Sequence, residues 1–73
     1  MINVTAEQLT KWADNCIRIN HLNTLVQREI AGGNANRAID LSERARRRAW
    51  DMFNEMIAAG ASKPAKYTEP AED

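Results

Sequence analysis

Gly32-Gly33-Asn34-Ala35-Asn36, read GGNAN, interrupts a chain otherwise free of Gly and Pro as far as Gly60. Paired glycines supply the left-handed turn that ends a helix, and Asn34 or Asn36 can cap the helix that follows. A connection this short makes the flanking helices antiparallel neighbours. Upstream, Thr5 and Gln8 form a T-x-x-Q capping box, with Val4 and Leu9 placed as its hydrophobic staple. These signals predict an all-α chain: an antiparallel two-helix hairpin with helices over about 6–31 and 36–59. The hairpin domain spans 1–60. Residues 61–73, with two prolines and an acidic end, are expected to be a disordered tail.

A domain of this size rarely builds a sufficient core alone and relies on disulfides, a metal or oligomerisation. Cys16 is the only cysteine and His21 the only histidine, and five residues apart they point different ways around a helix. No disulfide within the chain, no metal site and no cofactor is expected, which leaves a homo-oligomeric helical bundle. The apolar spacing agrees. Leu9, Trp12, Cys16, Ile19, Asn23, Val26 and Ile30 recur at alternating steps of three and four, a heptad seam with one polar member. Asn23 is expected to form a polar layer opposite Arg44 and Ala45, and Cys16 to be a small buried side chain. In the second helix Ala38, Ser42, Ala45, Ala49, Met52, Met56 and Ala59 repeat likewise, and their small size lets the backbones approach.

Each helix carries a second apolar set off its seam. Ile39, Trp50, Phe53 and Ile57 lie to one side in helix two, and Ile17, Leu22 and Leu25 lie off the seam of helix one. A hairpin has one internal interface and cannot cover both sets. Trp50, Phe53, Ile57 and Ile39 are therefore the expected oligomer interface.

Ten basic and ten acidic residues balance to zero, which argues against general DNA or RNA binding. No apolar run is long enough to span a membrane. The start, MINVTAEQLTKW, lacks the basic and apolar regions of a signal peptide, and a free cysteine suits a reducing compartment. A cytoplasmic protein is expected.

The conspicuous charged feature is RARRRAW over 44–50. Residues 37–48 hold five arginines against Asp40 and Glu43. Two readings stand. In the first, the run is a salt-bridged helix face, with Asp40–Arg44, Glu43–Arg47 and Arg47–Asp51 at i,i+4 spacing. In the second, arginines without a local partner (Arg37, Arg46 and Arg48) form a site for a phosphate or an acidic partner. Arg37 opens helix two beside exposed backbone N–H groups, where an anion would be favoured. Trp12 is a core aromatic or, near arginines, a stacking surface for a base. His21 is expected at the surface. No Gly-rich phosphate loop, carboxylate pair or activated nucleophile is present, so no enzyme activity is expected.

The segment Arg37–Trp50, RAIDLSERARRRAW, resembles the second helix of the helical-hairpin cyclic-nucleotide sponges with which phages counter CBASS and Thoeris immunity. Arg37, Ala38, Ser42 and Trp50 occupy comparable places. The resemblance implies a viral anti-defence protein in the host cytoplasm that oligomerises and sequesters a cyclic oligonucleotide without chemistry. Its ligand-binding residues would be Arg37 and Ser42, joined by Trp12 and Arg48. The alternative is a small helical protein-interaction module that inhibits or regulates a host or viral protein.

Overall fold

Residues 4–66 are described by a computed structural model of the chain. Two helices, α1 (Ala6–Ala31) and α2 (Ala35–Ala58), pack against each other as an antiparallel hairpin, and no strand occurs among the described residues. The expected tail lies partly outside the described residues, at 67–73.

The helix ends follow from local chemistry. Thr5 Oγ1 accepts from the Gln8 N–H at 3.1 Å, while Gln8 Oε1 accepts from the Thr5 N–H at 2.9 Å, closing the capping box. Gly33, at φ +79°, ends α1. The Asn34 N–H reaches Glu29 O at 2.8 Å and the Gly33 N–H reaches Ile30 O at 3.1 Å, the two bonds of a Schellman turn. Gly60 repeats this motif after α2, where the Gly60 N–H reaches Ile57 O and the Ala61 N–H reaches Met56 O. Asn34 holds the N-cap position of α2, but its side chain makes no cap. It donates instead to Glu29 Oε2 at 2.8 Å, tying the turn to the end of α1.

The buried side chains are Trp12, Ala38, Leu41, Ala45 and Met52. Helix two presents its seam as expected: Ala38, Ser42, Ala45, Ala49, Met52, Met56 and Ala59 are all buried or half-buried. Helix one does not. Its covered positions are Gln8, Trp12, Asn15, Ile19, Leu22, Val26 and Glu29, again at steps of four and three. Trp12, Ile19 and Val26 are shared with the expected seam, but the alternate members move one residue back. Leu9, Cys16, Asn23 and Ile30 are exposed, so Asn23 forms no polar layer and Cys16 is not buried. Leu22 and Leu25 are half-buried instead of lying outside. The stripe used covers Leu22 in place of polar Asn23, and its polar members Asn15 and Glu29 bond to α2 and the turn. Asn15 engages Arg48, and Glu29 engages Asn34 and stands 3.9 Å from Arg37.

The hairpin therefore has two unlike faces. Lys11–Glu55, Asn15–Arg48 and Glu29–Arg37 cross between the helices on one side of the seam. On the other side, α1 carries Leu9, Cys16, Asn23 and Ile30 at seven-residue intervals, and α2 carries Ile39, Arg46 and Phe53 at the same interval. Ile17, 66% exposed, stands apart on the back of α1.

Candidate functional site: the charged groove

The polar side opens into a groove of about 740 Å³ near the free ends of the helices. Trp12 and Met52 line its floor, and Lys11, Asn15, Arg18 and Arg48 its rim with Glu7, Asp14, Asp51 and Glu55. Three cations stand among four carboxylates.

Glu55 organises the groove. Its carboxylate receives Lys11 Nζ at 3.0–3.1 Å and the indole N–H of Trp12 at 3.3 Å. The Lys11 hydrogen bond, then that of Trp12, holds the Glu55 carboxyl below its ordinary value of 4.5, outweighing desolvation. A carboxylate depressed in the fold binds fewer protons than in the unfolded chain. Its stabilisation is present above about pH 4.5 and is lost as pH falls through the lower folded value. Glu55→Gln should thus melt below the wild type at pH 7, and the gap should close under acid. Thermal melts across that range check this, and a gap that persists at the acid end would contradict it.

One turn further along α1, Arg48 Nη1 donates to Asn15 Oδ1 at 3.3 Å, and Asn15 Nδ2 donates to the Arg48 carbonyl at 3.2 Å. Glu7, Asp14, Arg18 and Asp51 form no ion pair among the described residues.

Two of the four expected ligand residues, Trp12 and Arg48, thus line one groove. Trp12 is 7% exposed and its N–H is engaged, so it offers no open ring face for a base. Ser42 is half-buried on the other side of α2. Arg37 sits at the turn in a separate shallow depression with Glu29, Asn34 and Asn36. Trp12 and Glu29 are 17 residues apart on α1, about 25 Å. The hairpin does not bring Arg37 to Trp12 and Arg48.

Arg44 and Arg46 of the arginine run form ion pairs along α2. Arg44 pairs with Asp40 at 3.3 Å as expected, but Glu43 takes Arg46 at 2.9 Å rather than Arg47. Of the expected interface residues, Ile39 and Phe53 are exposed, and Trp50 and Ile57 half-buried. His21 is exposed. Lys11, Asn15, Glu29 and Glu55 escaped the sequence reading. Asn15 and Glu29 fall on heptad steps shared with Trp12, Ile19 and Val26, but local spacing does not mark Lys11 or Glu55.

No protein-family model, curated protein or solved structure matches this chain. Among the described residues no group of three or more His, Cys, Asp or Glu side chains could hold a metal ion, and no helix is long and apolar enough to cross a membrane.

Proposed function

We propose that this chain is a small non-enzymatic protein-interaction module that oligomerises and docks a partner protein in its charged groove. The observation that carries this reading is the mixture of charge around Trp12. Four carboxylates beside three cations repel a polyanion but complement a protein surface bearing both signs. The preformed Lys11–Glu55 and Asn15–Arg48 bridges keep these groups in place, which lowers the ordering cost of binding.

One observation favours a second reading, a cyclic-oligonucleotide sponge of the phage anti-defence kind. The first turn of α2 has no acidic residue and no side-chain cap, and Arg37 lies beside it, exposed and no nearer than 3.9 Å to the Glu29 carboxylate. Such a turn attracts an anion.

Native mass spectrometry of the protein purified from its own cells separates the two. The expected spectrum holds an associated protein that is lost in Arg48→Glu and retained in Arg37→Ala. A bound cyclic nucleotide lost in Arg37→Ala would put the sponge reading in its place.

A further inference from the structure

The more apolar heptad stripe of α1 is the one that faces outward. Leu9, Cys16 and Ile30 stand at the outer positions, while Gln8, Asn15 and Glu29 hold the equivalent places in the seam. Beside them α2 presents Ile39 and Phe53. We propose that this face is covered by the same face of a second copy of the chain, with both turns at the same end, so that α1 of each hairpin packs on α2 of the other. The proposal rests on the oligomer of the preceding reading but not on its groove.

Three observations select this occupant. First, the hairpin needs a constant one. Five buried side chains, none of them fully enclosed, make a thin core, and no disulfide or metal cluster reinforces it among the described residues. A cover needed for folding must be present whenever the chain is, which a copy of itself satisfies. Second, the stripe from Leu9 to Ile30 runs about 32 Å, whereas residues 1–3 and 67–73 hold only three large apolar side chains, Met1, Ile2 and Tyr67. Third, the face is self-complementary in layers. Ile30 and Ile39 mark the turn end, Asn23 and Arg46 the middle, and Leu9 and Phe53 the open end.

The layers also choose the orientation. With turns together, Asn23 faces the partner subunit's Arg46, and apolar ends meet apolar ends in a four-helix bundle. With turns at opposite ends, α2 would lie on α2 and set Arg46 against the partner subunit's Arg46 at the centre, a like-charge contact that the Glu43 beside each arginine offsets only in part. Asn23 then has a use that its exposure in the single hairpin does not supply: a polar member fixing register between copies.

Sedimentation and crosslinking test the proposal on the full chain. The wild type should sediment as a dimer or a multiple of one, with melting that rises with concentration. Ile39→Glu, at a position 61% exposed within the hairpin, should weaken association by at least about tenfold. Ile17→Glu, equally exposed on the back of α1, should leave it within about threefold, as surface changes do. Ala35→Cys in a Cys16→Ser background should crosslink across the dimer with a short bifunctional maleimide, because the alternative orientation separates the turns by about the length of α1, roughly 39 Å. A folded monomer with concentration-independent melting would overturn both this proposal and the oligomeric reading. An oligomer disrupted as much by Ile17→Glu as by Ile39→Glu would overturn the face alone. An oligomer without the Ala35→Cys crosslink would overturn the orientation.

Discussion

Trp12→Ala is expected to lower stability by about 3–5 kcal/mol, the usual cost of truncating a buried aromatic. A chain of this size holds roughly 4–11 kcal/mol in all, so the loss takes a large share of the total. Trp12 is 7% exposed and is the largest side chain in the core, close to where the helices end and fraying begins. The effect is compound. Removing the ring opens a cavity over Met52, and removing the indole N–H takes one of the two donors from the Glu55 carboxylate. Trp12→Phe separates these parts, because it keeps most of the apolar contact and loses only the hydrogen bond to Glu55. Melting followed by circular dichroism should fall by roughly 12 °C or more for Trp12→Ala at neutral pH, with Trp12→Phe between it and the wild type. A Trp12→Ala protein melting within two or three degrees of the wild type, about what a surface change produces, would mean that the tryptophan is not core.

The hairpin itself was legible because its signals are local. A capping box, a Gly33 that must adopt positive φ, and an unbroken helical pattern on either side each act over a few residues. The seam of α2 was legible too, since alanines at a heptad interval have no better place than a close helix contact. The seam of α1 was not. Two heptad sets share Trp12, Ile19 and Val26 and differ in their alternate members. Apolarity prefers Leu9, Cys16 and Ile30, whereas the hairpin uses Gln8, Asn15, Leu22 and Glu29. The cross-helix bonds that accompany this choice, such as Asn15–Arg48, join partners 33 residues apart and leave no mark in local spacing. The same blindness hid the groove. Lys11, Trp12 and Glu55 become one cluster only when the turn aligns the two strings of residues. The outward turn of an apolar stripe is likewise invisible to a reading that assumes the most apolar heptad must be internal.

Leu41→Ala should cost about 2–5 kcal/mol, although no seam pattern singles Leu41 out. It is the most buried side chain described, 3% exposed. It lies between Ala38 and Ala45 on α2, at the level where the antiparallel register places Leu22, Leu25 and Val26. Small alanines on either side bring the backbones close, so the leucine fills space that a relaxed alanine cannot reclaim. Ile39, two residues earlier, supplies the internal comparison, since it is 61% exposed and points to the outer face. Leu41→Ala should therefore lower the melting temperature by roughly 8 °C or more at every protein concentration, because the contact it removes lies within one hairpin. Ile39→Ala should act through assembly, with little effect at high concentration and a growing deficit on dilution. Melts over a hundredfold concentration range distinguish the two. If Leu41→Ala showed the concentration-dependent deficit and Ile39→Ala the constant one, inner and outer faces would have been assigned the wrong way round.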